Sequence, residues 1–447
     1  VTAPPRPDAL DDAVWPRTAA IDPDGVLRIG GVRLTDIAAD YGTPAFVLDE
    51  EDFRERARAW RQAFAAHTGG RSAVYYAGKA FLCTTIARWV AEEGLGLDVC
   101  TGGELAVALR AGFPAARLAL HGNNKSFDEL SRALDAGVGR VVVDSFEEIA
   151  RLARLTEGRA APQEVYLRVT PGVEAHTHEF VATGQEDQKF GFSLASGAAA
   201  AATDQLAACP GLRLVGLHAH IGSQIFDTAG FALALHRMVG FLAAVRDRHG
   251  VVVDEIDLGG GLGIAYTSED APLEVDEVAE RLARHLAKEC AAVGIAVPVL
   301  AVEPGRAIVG PSTVTLYEVG TVKDLPGLRT YVSVDGGMSD NIRTALYGAR
   351  YTARLASRTS SAAARPVTVC GKHCESGDIV AHDVALPADL RPGDLLAVPA
   401  SGAYHRSMAS NYNHVPRPPV LAVAGGTVRT LVRRETEQDL LALDGEA

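Results

Sequence analysis

Lys79 closes the stretch Tyr75-Tyr76-Ala77-Gly78-Lys79-Ala80, where it neither caps a helix nor sits on an evidently solvated face. An amine is mostly protonated at its ordinary pKa, but apolar and aromatic neighbours at a strand end can desolvate it enough to attack an aldehyde. Lys79 therefore reads as a Schiff-base lysine. The competing reading is a surface lysine after a strand, the common fate of this residue type, and the rest of the chain decides between them.

Asp257-Leu258-Gly259-Gly260-Gly261-Leu262-Gly263 is the first companion. Glycines let backbone amides approach a phosphate closely, although such runs also make ordinary turns. Glu303-Pro304-Gly305-Arg306 places a carboxylate and a guanidinium after an apolar run. A carboxylate against a pyridine nitrogen keeps that nitrogen protonated, so that the ring accepts electrons from a carbanion; a surface ion pair would do little. His218-Ala219-His220-Ile221-Gly222-Ser223 sets two histidines on one strand face by the period of two. Two histidines with no third ligand nearby make zinc the weaker reading, so no metal is expected. His220 reads instead as a flat ring against a cofactor ring, with Ser223 helping to hold its phosphate. Cys374-Glu375-Ser376-Gly377-Asp378 offers a proton donor and an ammonium acceptor in a turn, or merely a small packing residue beside a solvated acid.

These groups need a scaffold that brings them together. From Pro44 onward, short apolar runs alternate with Ala/Arg/Glu-rich amphipathic segments, the sequence form of repeated βα units. Eight strands are expected, at residues 74–77, 97–99, 118–121, 141–144, 165–169, 215–220, 256–258 and 299–302. Lys79, Asp98, His121, Asp144, Arg168, His220, the glycine run and Glu303 fall at or just beyond their ends. Catalytic groups at the C-terminal ends of eight parallel strands are the mark of a (β/α)8 TIM barrel, whose loops after strands seven and eight commonly bind phosphate. A doubly wound open sheet uses the same alternation and is the alternative. From about residue 311 the pattern turns to β-rich segments separated by Gly/Pro/Asp turns, such as Arg391-Pro392-Gly393-Asp394. The expected organisation is α/β: residues 1–44 as a Pro-rich, mobile arm followed by strands, 45–310 as the barrel, and 311–447 as a second, mostly β domain.

Composition narrows the class. The 447 residues are 47% hydrophobic and 22% charged, as in ordinary soluble globular proteins. A formal charge of -13 with no basic block argues against a nucleic-acid or anionic-membrane partner. The six cysteines are scattered and lack paired metal-ligand spacing, which fits a reduced, cytoplasmic setting. The amino terminus shows no secretory signal pattern. The longest apolar stretch, Phe231 to Val245, is interrupted by His236 and Arg237 and reads as a buried helix too short to span a bilayer.

Tyr76-Ala77-Gly78-Lys79, His218 to Gln224, Gly259 to Gly261, Glu303 to Arg306, Asp335-Gly336-Gly337-Met338, Cys374 to Asp378 and Ser407 to Asn413 together resemble diaminopimelate decarboxylases, members of the alanine-racemase-like, fold-type III pyridoxal-phosphate enzymes. The match runs in order from about residue 25 to about residue 425. The resemblance implies decarboxylation of meso-2,6-diaminopimelate to L-lysine and carbon dioxide, the last step of lysine biosynthesis, with pyridoxal 5'-phosphate as cofactor. It implies that Lys79 carries the cofactor, His220 stacks on its ring and Glu303 faces its nitrogen, with Asp98 and Arg168 close by. Ser223, Gly260, Gly261, Gly305 and Arg306 would surround the phosphate. Arg306, Arg343 and Tyr347 would hold the distal carboxylate of the substrate, Glu375 its distal amine, and Tyr404 would touch both cofactor and substrate. Cys374 would return a proton to the substrate carbon. In the family, the residues matching Cys374 and Glu375 reach into the partner subunit's site, so a homodimer with shared sites is implied.

Two departures stand out. Thr344 replaces a proline after Arg343, which is expected to loosen that turn, and His405-Arg406 replace a smaller or aromatic pair after Tyr404. The alternatives are a decarboxylase of ornithine, arginine or a secondary-metabolite precursor on the same fold, or a pyridoxal-phosphate carrier without catalysis. The arginines speak against the first, since diamine-forming substrates lack a distal carboxylate. Chain length speaks against the second, since such carriers have only the barrel.

Overall fold

The computed structural model describes residues 10–173 and 189–445. Most of the Pro-rich opening expected to be mobile lies outside the described residues. The chain divides into two compact units, one of residues 56–263 and 272–305, the other of residues 1–55, 264–271 and 306–447.

The first unit is a closed barrel of eight parallel strands: β1 (Ser72–Ala77), β2 (Gly96–Val99), β3 (Leu118–Leu120), β4 (Arg140–Val143), β5 (Gln163–Thr170), β6 (Leu212–His218), β7 (Glu255–Asp257) and β8 (Val299–Val302). Each pairs in parallel with the next, β8 returns to β1, and the β4–β5 pairing completes the ring. All eight expected strands are present, and the open-sheet alternative is excluded by that closure. Helices follow the strands with conventional starts. Thr101 and Ser145 accept amide hydrogens at two N-termini, and Ser126 with Glu129 forms a capping box at a third. At the N-terminal end of the ring, Arg140 pairs with Glu255 at 2.7 Å and with Glu164, sealing that end with charge. The opposite end is where the candidate residues collect.

The apolar stretch beginning at Phe231 lies in a helix of 21 residues, Ala229–His249. By length and composition alone the whole helix could cross a membrane, although the apolar stretch within it, Phe231 to Val245, is shorter. The helix nevertheless buries Phe231, Leu235, Met238, Val239 and Leu242, as expected for a core helix.

The second unit is built on a mixed sheet. Its long strand β9 (Thr313–Leu325) pairs with β10 (Arg329–Val334) and, further along, with Ala45–Asp49 and with β12 (Leu395–Val398). Parallel to β10 lies β11 (Ala364–Cys370), which is followed by the antiparallel strand Ile379–Pro387. Ala45–Asp49 also pairs with Val420–Ala424 and is central in this sheet, so residue 45 belongs to the β unit. Within the strands expected after the opening arm, a hairpin turns at Gly30-Gly31 between Leu27–Ile29 and Val32–Arg33. An apolar layer of Tyr317, Val319, Val332, Val334, Val367, Val369 and Leu396 fills the core beneath β9–β12.

Candidate active site

The C-terminal ends of the barrel strands bring most of the expected groups into one mouth. Lys79 stands two residues past β1, Asp98 lies within β2, His121 follows β3, Arg168 lies in β5, His218 ends β6, Asp257 ends β7, and Glu303 follows β8. Glu303 is the centre of the cluster. Its Oε1 is 3.0 Å from His218 Nε2 and 3.4 Å from His121 Nε2, and the latter atom is 3.3 Å from Asp98 Oδ1. The two imidazole rings meet edge-on at 5.0 Å. All four side chains are buried, and Glu303 Oε1, both Nε2 atoms and both Asp98 oxygens have no aligned hydrogen-bond partner among the described residues.

Burial alone would raise the Glu303 carboxyl, but His121, His218 and the charge of Lys79 outweigh it and hold Glu303 well below the usual carboxylate range. Burial pushes His121 and His218 down to about 4, so both are neutral near pH 7. Asp98 and Asp257 are raised by burial and then by Glu303, because several buried like charges cannot all ionise. Glu303 is thus the carboxylate of this cluster held toward its ionised form, between two imidazoles that burial keeps neutral near pH 7. The donor atoms of His121, His218 and Glu303 lie within 4.8 Å of one another, a spacing that a metal ion would also accept. His220, the partner expected for His218 in a zinc reading, is not one of the three.

His220 serves the glycine run instead. Its Nδ1 accepts the Gly260 amide at 3.2 Å, which leaves the proton on Nε2. A side chain at Gly260 would strike Glu303 O at 2.4 Å, and one at Gly261 would strike Gly222 O at 2.3 Å. Gly261 also has φ +111°, which disfavours any other residue. The loops after β6 and β7 are zipped together by Ile225 N to Gly261 O at 3.0 Å and Gly263 N to Ile225 O at 2.9 Å. Ser223 sits half-buried in the first of them. Arg168 is held flat, its guanidinium 4.1 Å over the Phe190 ring and 3.7 Å from Asp144. Gly305 approaches Ala77 so closely that a Cβ would meet it at 2.9 Å.

Lys79 itself is exposed, which corrects the expectation of a lysine desolvated by its aromatic neighbours. Tyr75 and Tyr76 are buried in the barrel wall, and the chain then turns at Gly78, whose amide bonds Asp98 O at 3.0 Å, so Lys79 stands beyond the wall, where its charge still acts on Asp98, His220 and Glu303.

The β unit gathers a second set. Arg343 and Tyr347 occupy one face of a short helix, Arg343–Tyr347, by i,i+4 spacing. Buried Arg306 and Arg343 share one aromatic surround with Tyr266, Tyr351 and Tyr404. Tyr404 adopts φ +63° and lies 4.7 Å beneath the Arg306 guanidinium. Thr344 does not loosen the turn as expected: it is buried, and its Oγ1 donates to Val380 O at 2.9 Å, tying the helix to the neighbouring strand. His405 is buried against the Tyr351 ring at 5.4 Å, and burial pushes it down to about 3.

Cys374 and Glu375 are exposed on the turn between β11 and the following strand. That turn is firmly built: Asp378 accepts the amides of Met338 at 2.6 Å and His373 at 2.7 Å, and Asn413 accepts the Cys374 amide at 3.0 Å.

Comparison with known proteins gives this geometry a lineage. Residues 50–310 match the family described as pyridoxal-dependent decarboxylase, pyridoxal binding domain. The chain is 57% identical over 443 residues to the diaminopimelate decarboxylase of Mycobacterium leprae, covering 97% of this chain and 93% of the relative. It is 48% identical over 420 residues to that of Bacillus subtilis, covering 94% and 95%. A solved diaminopimelate decarboxylase from M. jannaschii, in complex with L-lysine, superposes with a TM-score of 0.89 at 30% identity, covering 96% and 98% of the two chains. The chain belongs to the diaminopimelate decarboxylase family.

Several residues of the site are brought together by the fold rather than by any local sequence signal. His121 is marked by its place at a strand end and Asp257 only as the start of the glycine run, and it is ring closure that sets both beside Glu303. Tyr266 and Tyr351 lie 85 positions apart in segments with no periodic pattern, and are joined by backbone bonds from Thr352 to Tyr266 O at 3.2 Å and from its hydroxyl at 2.9 Å.

Proposed function

We propose that this chain is a pyridoxal 5'-phosphate-dependent decarboxylase that converts meso-2,6-diaminopimelate to L-lysine and carbon dioxide, the last step of lysine biosynthesis. The observation that carries the reading is Glu303, a buried, ionised carboxylate whose Oε1 has no aligned partner and which opens on the same mouth as Lys79. The cofactor fits these residues. A protonated pyridine nitrogen would give the buried Glu303 carboxylate an aligned partner, Lys79 offers the amine for its aldehyde, and the glycine run offers backbone amides to its phosphate. When bound, the pyridinium supplies the sink for the electron pair left by departing carbon dioxide.

The chain's own groups would do the rest. Glu303 keeps the proton on the ring nitrogen, and neutral His121 and His218 flank it without competing for charge. Neutral His220 presents a flat face to the ring, with Asp98 and Arg168 at the margin. Ser223, Gly260, Gly261, Gly305 and Arg306 are assigned to the phosphate. Arg306, Arg343 and Tyr347 are assigned to the distal carboxylate, and Tyr404 to both cofactor and substrate. The leaving carboxylate should lack a cationic partner, since tight ground-state binding there would oppose its departure.

We further assign a homodimer, in which the partner subunit's Cys374 supplies the proton to the substrate carbon and the partner subunit's Glu375 binds the distal ammonium. The support is the exposed yet firmly built turn that carries both residues. A cytoplasmic location accords with six free cysteines.

The reading is tested by recording the cofactor absorbance of the purified protein and measuring carbon dioxide release from meso-diaminopimelate, ornithine and arginine. Release from diaminopimelate alone is expected; release from ornithine but not diaminopimelate would sink the assignment.

A further inference from the structure

The two buried arginines of the β unit are surrounded by phenols. Arg306 Nη1 donates to the Tyr266 hydroxyl, and Arg343 Nη1 donates to the Tyr351 hydroxyl. Tyr266 serves both cations, because its ring also lies 4.7 Å beneath the Arg343 guanidinium. The Tyr266 and Tyr351 rings brace each other edge-on at 5.2 Å, and both tyrosines are buried. Tyr266 is fixed in turn by its backbone: its amide donates to Asp270 at 3.0 Å, and its carbonyl accepts from Thr352. The groups that act on the Arg343 charge are Tyr266, Tyr351 and Tyr404, and Arg343 Nε is buried with no hydrogen-bond partner.

A phenol accepts a hydrogen bond without neutralising the donor. Two guanidiniums held this way keep their charge and have their planes fixed by stacking, which suits them to bind a planar anion. We propose that Tyr266 and Tyr351 are specificity-determining positioning residues, which hold Arg306 and Arg343 as one two-armed clamp for the substrate carboxylate remote from the reacting carbon. The inference rests on the functional reading above, which assigns the arginines but neither tyrosine. The clamp selects amino acids with a second carboxylate over diamine-forming ones. Because that carboxylate does not react, the clamp acts equally on bound substrate and transition state, and its loss belongs in KM rather than kcat.

The test uses the cofactor-loaded enzyme with Tyr266→Phe and Tyr351→Phe made separately, each keeping the ring and losing the hydroxyl. Loss of a hydrogen bond to a charged group predicts a rise of about ten- to a hundredfold in KM for diaminopimelate, with kcat and cofactor absorbance within about twofold of wild type. Inhibition supplies a readout independent of turnover: L-lysine, which keeps the remote carboxylate, should inhibit the variants less well by a similar factor, while cadaverine, which lacks it, should inhibit wild type and variants alike. Wild-type protein inactive on diaminopimelate would overturn the functional reading itself. If wild type is active, unchanged KM and unchanged discrimination between L-lysine and cadaverine in both variants would overturn the tyrosine assignment alone. So would a fall in kcat at constant KM, which marks a merely structural role.

Discussion

Lys125 and Glu148 form a buried ion pair at the base of the mouth, and its removal has a calculable consequence. Both side chains are about 1% exposed, and Lys125 Nζ donates to Glu148, Gly122 O and Val142 O, each at 2.7 Å. The pair fastens the loop after β3, which carries His121, to the end of β4. Lys125→Met would leave a buried carboxylate alone, and breaking such a pair from one side costs about 3–5 kcal/mol. For a unit of this size, about 2–4 °C of melting temperature corresponds to each kcal/mol, so the barrel midpoint should fall on the order of 10 °C. Trp60 and Trp89 lie in the barrel unit, and their fluorescence follows its unfolding. Burial already raises the Glu148 carboxyl; without Lys125 it must take up a proton on folding. The variant's deficit should therefore widen as pH rises above the ordinary carboxylate range and narrow below it. Lys125→Met/Glu148→Leu should recover most of the loss, since no charge is then stranded. A single variant that melts within about 2 °C of wild type, or a double variant no better than the single, would refute the reasoning.

Three further outcomes are expected. Lys79→Ala should lose the absorbance band of covalently bound cofactor and its trapping by borohydride; a retained band would point to another lysine. Cys374→Ala should keep that band but turn over more slowly by about 10²–10⁴, the usual worth of a positioned acid, and unchanged turnover would remove Cys374 from the role. Asp340, buried and bonded to Tyr317 and to the Gly337 amide, is pushed up to about 7 by burial. A raised acid stabilises the fold below its unfolded pKa and loses that contribution as pH climbs to about 7, a swing of up to roughly 4 kcal/mol; Asp340→Asn should flatten this slope in denaturant titrations between pH 4 and 7, and an unaltered slope would count against it.

The barrel was legible in the sequence because a parallel strand buried on both faces is a short apolar run, and the polar residue ending each run marks the mouth. Glu303 and the glycine run were found for that reason. The state of the site was not legible. That Glu303 is ionised while Asp98 and Asp257 are raised depends on which side chains meet across the ring. The exposure of Lys79 was not legible because two buried tyrosines before it say nothing about where the chain points after Gly78. The helix Ala229–His249 outran its apolar stretch because an amphipathic helix keeps polar residues on its outer face without ending there. The consequence of Thr344 turned on a carbonyl, Val380 O, that no local pattern could supply.

Ala45–Asp49 lies between Thr313–Leu325 and Val420–Ala424 in its sheet, so both of its neighbours emerge from the ribosome hundreds of residues after it does. An early strand with two late partners must remain unpaired through most of synthesis, and pairings so distant along the chain form slowly. The segment is also apolar, Ala-Phe-Val-Leu-Asp, and thus prone to pair wrongly while it waits. Truncations from the C-terminus, even short of the residues assigned to chemistry, should yield aggregated rather than merely inactive protein.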